Sequence, residues 1–163
     1  MMSTFTMHST SIKANEQMPK HFLYNLNGCQ GDNISPELEW KGAPSETKSF
    51  AVTVFDPDAS NGHGWWHWAV INIPQNVNKI EEGASNSKKL PRGAIELETD
   101  FHKKGYGGPC PPKGDRPHRY VFTIYALNLE KLDVEKNATA SEIKTKLEKN
   151  CLAKTDFTVE YGR

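Results

Sequence analysis

The chain is 163 residues long, about one domain, with 36% hydrophobic residues and twenty basic side chains that cancel twenty acidic ones. A net charge of zero supplies no global field for nucleic acid or an anionic membrane, and no stretch approaches the roughly 20 apolar residues that span a bilayer. The N-terminal MMSTFTMHSTSIKANEQMP has no apolar run of signal-peptide length, so the expectation is a cytosolic single domain over residues 1–163 whose recognition depends on local charge.

Twelve Gly and ten Pro tilt the chain toward short strands joined by ordered turns, and hence toward a mainly β protein. Thr4 to Ile12 alternates loosely, with Phe5, Met7 and Ser9 on one face of an opening strand. Pro19 to Leu26 is a short apolar run, broken by NGCQGDNISP; Leu38–Trp40 reads as a short strand. Lys48–Asp56 alternates with apolar residues on both faces, which predicts a central strand. It ends in Asp56-Pro57-Asp58 and the turn residues Asn61-Gly62 and Gly64, and Trp65 to Ile73 returns as a strand stopped by Pro74.

Gln75 to Arg92 is polar and without period, so a surface connection is expected there; a brief strand follows at Ala94–Leu97. Gly105 to Pro117 then packs four Gly and four Pro around Cys110, delivering His118, Arg119 and Tyr120 at the mouth of a strand over Arg119–Asn128. The backbone N–H groups of Gly107 and Gly108 are expected to be free for a ligand. Thr139 to Glu142 has capping-box spacing, and Ala140, Ile143, Leu147 and Cys151 follow at helical intervals. Asp156–Tyr161 closes the chain as a last strand. Together these elements predict an antiparallel β-sandwich of two sheets with one helix before the final strand.

Cys29, Cys110 and Cys151 are too few and odd in number for a disulfide framework. Three reduced thiols are the default expectation, with a Cys29–Cys110 pair as the alternative because both lie in Gly-rich loops that could meet. The chemistry concentrates on two loops leaving central strands: Asp56 and Asp58 with His63 and His67, and His118. A carboxylate after a strand is ordinarily a turn residue, and a histidine between Trp66 and Trp68 is as readily a satisfied core residue. His63 and His67 have metal-ligand spacing only on a helix; in a strand they lie roughly 13 Å apart, too far for one ion. No Gly-x-Ser-x-Gly elbow, P-loop or dinucleotide fingerprint is present, so no nucleophile and no cofactor is expected. What fits is an anion site: histidines and backbone N–H donors suit phosphate oxygens, an adjacent carboxylate favours a charged imidazole, and Trp65, Trp66, Trp68 and Tyr120 offer apolar walls. Its histidines are expected to titrate near neutral pH.

The segments NISPELEW, FDPDAS, HWAVINIP and GYGGPCPPKGDRPHRYVFTIYALN, in this order, resemble the phosphatidylethanolamine-binding protein family and its bacterial Raf-kinase-inhibitor-like branch, over about Thr4 to Tyr161. The resemblance implies a Greek-key β-sandwich with an anion pocket at one end. Carried over by motif, its ligand residues are Asp56 and Asp58, His67, Gly108 and Pro109, and His118 and Tyr120. His67 and His118 would be the phosphate donors, Asp56 the orienting carboxylate, and Tyr120 a wall and hydroxyl donor. The implied partners are a phosphorylated or other anionic small molecule, a regulated kinase or protease, and a second copy in a homodimer; no catalytic residue is implied. A phosphoester-processing enzyme using the same Asp and His residues is the alternative. Where the family has DPDAP this chain has DPDAS, so Ser60 replaces a stiffening proline and a more mobile Asp58–Gly64 loop is expected.

Overall fold

The computed structural model describes residues 4–163. Eight strands carry the chain: β1 Thr6–His8, β2 Leu38–Lys41, β3 Ser49–Asp56, β4 Trp65–Pro74, β5 Lys79–Ile80, β6 Ile95–Glu96, β7 His118–Leu127 and β8 Cys151–Tyr161. They form two antiparallel sheets, one of three strands ordered β1-β2-β5 and one of five ordered β6-β4-β3-β7-β8. The alternation of β3 explains its place between β4 and β7. Phe50, Val52 and Val54 enter a core between the sheets, where they meet Met7, Leu38, Trp40 and Ile80 of the smaller sheet and Phe122 and Ile124 of β7.

Ala51, on the opposite face of β3, joins a second core with Trp66, Ile71, Tyr125 and Leu127. The helix Ala140–Lys149 covers that core with Ala140, Ile143 and Leu147. Its predicted capping box is present: Thr139 accepts from the Glu142 backbone N–H, and the Glu142 carboxylate accepts from the Thr139 N–H. The main sheet thus buries apolar residues on both faces.

Three expectations are corrected. The connection Gln75 to Arg92 contains β5, whose Ile80 is fully buried and pairs with Leu38. Cys151 does not continue the helix; it opens β8, which pairs with β7 from Leu127 to His118 and begins five residues earlier than the sequence indicates. Cys29 and Cys110 are not reduced thiols but form a disulfide with Cα atoms 5.9 Å apart, and Cys151 is the free cysteine.

Two details of register prepare the site. β3 and β7 run antiparallel with Phe55 opposite Val121, which sets Asp56 at the end of one strand beside His118 at the start of the next. Between β3 and β4, Val54 pairs with Trp68 and Phe55 with Trp66, so His67 is the extra residue of a β-bulge. Such a bulge re-aims a side chain that strict alternation would commit to one face.

Candidate functional site

Asp56, Asp58, His67, His118 and Tyr120 line one cavity of about 480 Å³ at this end of the main sheet. Asp56 is buried and holds two donors: His118 Nδ1–H donates to Oδ2 at 2.6 Å, and the Asp58 backbone N–H donates to Oδ1 at 2.8 Å. On the other side of the ring, His118 Nε2–H donates to Asp115 Oδ2 at 3.0 Å. Both ring nitrogens therefore face acceptors, which requires both to carry protons. Burial pulls the imidazole down, but the hydrogen bonds to Asp56 and Asp115 outweigh it and hold His118 above the ordinary histidine value. Burial pushes Asp56 up from the usual carboxylate range, while the His118 and Asp58 donors hold it down. The pair is best described as an imidazolium seated on a buried carboxylate.

His67 is the opposite case. Its Nδ1–H donates to the Gly107 carbonyl at 2.6 Å, and the Gly107 N–H returns a bond to the His67 carbonyl at 2.9 Å. Burial, first of all, pulls it down to about 4. At neutral pH its Nε2 carries no proton and is an acceptor. This corrects the expectation for His67, which is not a phosphate donor as it stands and does not titrate near neutrality. The ring of Phe101 meets His67 edge-on at 5.3 Å and Tyr120 does so at 5.2 Å, which keeps that side of the cavity aromatic. Burial raises the Tyr120 phenol, so its hydroxyl stays protonated.

The remaining expected residues divide by use. Asp58 accepts from Arg119 through Nη2 at 2.8 Å, Nε at 3.0 Å and the backbone N–H at 2.8 Å, and the guanidinium beside it lowers its carboxyl. It borders the cavity but is committed to the Arg119 fork. Gly107 and Gly108 do not offer free N–H groups: the first bonds the His67 carbonyl and the second Asn33 Oδ1 at 2.7 Å. Their small size serves packing, since a Cβ on Gly108 would lie 2.1 Å from the Phe22 carbonyl oxygen and one on Gly107 2.4 Å from the Phe101 ring. Pro109 accepts the Tyr24 N–H and lies behind the wall; the cavity is bordered instead by Cys110, Pro111 and Pro112.

Of the tryptophans offered as walls, only Trp65 lines the cavity. Trp66 belongs to the helix-side core, and Trp68 lies in the inter-sheet core with its Nε1–H on Glu96 at 2.7 Å. The Trp65 Nε1–H is buried without a partner among the described residues. His63 is exposed in the turn, with its Nδ1 on the Ser60 carbonyl, and does not line the cavity. Ser60 itself has φ 51°, a conformation closed to proline, so the departure from DPDAP changes the path of the turn.

Sequence reasoning missed Asn27, Asn61, Phe101 and Asp115, all at the cavity. Asn27 and Asn61 stand in front of Gly28 and Gly62 in left-handed conformations, a turn signature that gave no hint of a shared cavity. Asp115 was visible only as a charge three residues before His118.

A family model described as phosphatidylethanolamine-binding protein matches residues 8–162. The protein YbcL of Escherichia coli K12 is 44% identical over 161 residues, covering 98% of this chain and 88% of that protein. Its crystal structure, described as a new member of the mammalian PEBP family, matches with a TM-score of 0.94 over 98% of both chains. YbhB, also from Escherichia coli K12, is 40% identical over 155 residues, 94% of this chain and 98% of that protein. The crystal structure of the PEBP homologue CT736 of Chlamydia trachomatis matches with a TM-score of 0.81 at 28% identity, covering 99% of each chain.

Proposed function

The chain belongs to the phosphatidylethanolamine-binding protein family, and from that membership we propose that it is a small-anion-binding protein that takes a phosphate or phosphoryl group at His118. The observation that supports this reading is the bond between His118 Nε2 and Asp115 Oδ2. The outward nitrogen of a buried imidazolium, fixed from behind by Asp56, already receives an oxyanion, and a phosphoryl oxygen has the same bonding demand. The Trp65 ring supplies an apolar wall beside it.

The proposed role is binding without catalysis. An imidazolium with both nitrogens protonated is no general base, and Asp56 is occupied by two donors. The phosphoester-processing alternative remains a separate outcome of experiment. Calorimetry with inorganic phosphate and phosphorylethanolamine should give saturable heat for the wild type and none for His118→Ala; affinity unchanged in the variant overturns the site. Turnover of a chromogenic phosphoester that disappears in Asp56→Asn would replace binding by catalysis. Control of a kinase or protease partner is the further part of the proposal, to be read from a pulldown lost with His118→Ala.

For the cellular setting, no helix among the described residues is long and apolar enough to cross a membrane. The cytosolic expectation competes with the Cys29–Cys110 bond, a kind that persists in oxidising compartments. The setting proposed here is an oxidising one. Alkylation of protein trapped in the cell should find a single reactive thiol, that of Cys151, whereas all three cysteines would react if the cytosolic expectation holds.

A further inference from the structure

Asp115 is not needed to build the anion seat, yet it occupies it. Its side chain is about half exposed (47%), whereas that of His118, which it contacts, is 6% exposed. The charges around the cavity show what this does. Asp56, Asp58, Asp115 and His118 line it, Arg119 neutralises Asp58 from outside the lining, and His67 is neutral. An incoming anion therefore meets one more carboxylate than cation while Asp115 is in place, and an even balance once it has moved away.

The loop is fastened so that such movement is local. Up to Pro111 it is held by the Gly107 and Gly108 backbone bonds, the Cys29–Cys110 disulfide, and the Arg163 Nε–H donated to the Pro111 carbonyl at 2.6 Å. From Lys113 to Pro117 the backbone donates only two bonds among the described residues, Gly114 N–H to the Arg163 carbonyl and Asp115 N–H to the Pro112 carbonyl. The Asp115 side chain makes its bond to His118 from a short span held at Pro111 and again where β7 begins at His118.

We propose that Asp115 is a specificity-determining residue, a tethered carboxylate that competes for His118 Nε2 and sets the threshold an anion must exceed to bind. This inference rests on the anion-binding reading above and names the class of ligand that passes. A monocarboxylate offers His118 no more than Asp115 already does, and lacks the advantage of being tethered. A dianionic phosphoryl group offers more charge and more acceptor oxygens, and displaces it. The pocket thus discriminates against the abundant carboxylates of any cell.

The test uses inorganic phosphate and acetate as probes, with the full chain and its Asp115→Asn variant. Phosphate should bind the variant about tenfold more tightly, and acetate, without measurable binding to the wild type, should bind the variant. Weaker phosphate binding by Asp115→Asn would overturn the proposal, because Asp115 would then assist the ligand; unchanged binding of both probes would overturn it as well. A ligand-free NMR titration of the His118 ring separates this inference from the reading beneath it. The variant should lower the His118 midpoint, because the Asp115 carboxylate that favours the charged ring is gone. No shift removes the competing contact itself, whatever binds. A shift without phosphate binding to either protein overturns the anion reading, and this inference with it.

Discussion

The two walls of the cavity are built on opposite principles. One consists of strand ends: Asp56, His67 and His118 stand on β3, β4 and β7, whose backbones are fixed by sheet pairing, with a bulge at His67, and whose side chains are nearly closed to solvent. The other is the segment from Cys110 to Asp115, in which Pro111 and Pro112 have no N–H to donate and a disulfide and Arg163 replace the missing ladder. The difference separates two tasks. The sheet fixes the position and direction of the binding groups, and the loop, through Asp115, decides what reaches them.

The strongest challenge to this division is to remove the fastening. The Cys29–Cys110 bond closes a separation of 81 residues, and its chain-entropy effect is about 4.5 kcal/mol. Cys29→Ser with Cys110→Ser should lose stability of that order in urea titration. Hydrogen exchange should then rise through residues 110–117 while β3 and β7 keep their protection; uniform loss over both walls would show that they are one unit. Next in size is the strand wall. Asp56→Ala leaves a buried imidazolium without its partner and should cost on the order of 3 kcal/mol, with loss of phosphate binding.

Acid sharpens the comparison between the two histidines. The folded His67 sits at about 4, below the ordinary 6.5, so the unfolded chain holds an extra proton in that window. Stability should fall as pH drops through it, by on the order of 3 kcal/mol for this group. His118 works in the other direction: its folded value is raised, so its contribution is full below the ordinary histidine value and is lost as pH rises through the folded one. Urea midpoints of His67→Gln across this range should lose much of the acid slope; an unchanged slope would mean that His67 is not the buried neutral group described. The smallest effect is a control far from both walls. Thr139→Ala removes the helix cap and should cost about 1 kcal/mol without changing phosphate affinity.

What could be read in advance follows from how local each signal is. The alternation of Ser49–Asp56 and His118–Leu127 and the cap at Thr139 are properties of short segments, and each element formed where its pattern indicated. The motif order led to the pocket and most of its polar residues. β5 escaped because two residues have no period, and Ile80 is buried only through its pairing with Leu38. The beginning of β8 escaped because it is an edge strand whose alternate residues, such as Leu152 and Lys154, are exposed. The roles of Gly107 and Gly108 were misread because glycine permits both an open N–H and a close contact, and only the positions of Phe101 and Phe22 decide between them. The state of His67 depends on a bulge, and that of His118 on a loop folding back three residues; neither is encoded by residue type.

The distribution of tryptophan has an optical consequence. Trp40, Trp66 and Trp68 are sealed in the two cores, where a small ligand does not reach them, whereas Trp65 forms part of the cavity wall with its indole N–H unbonded. Three of the four emitters therefore give a constant background and the fourth responds to what enters. Intrinsic fluorescence should report occupancy without a label, and Trp65→Phe should silence the signal while the rest of the emission remains.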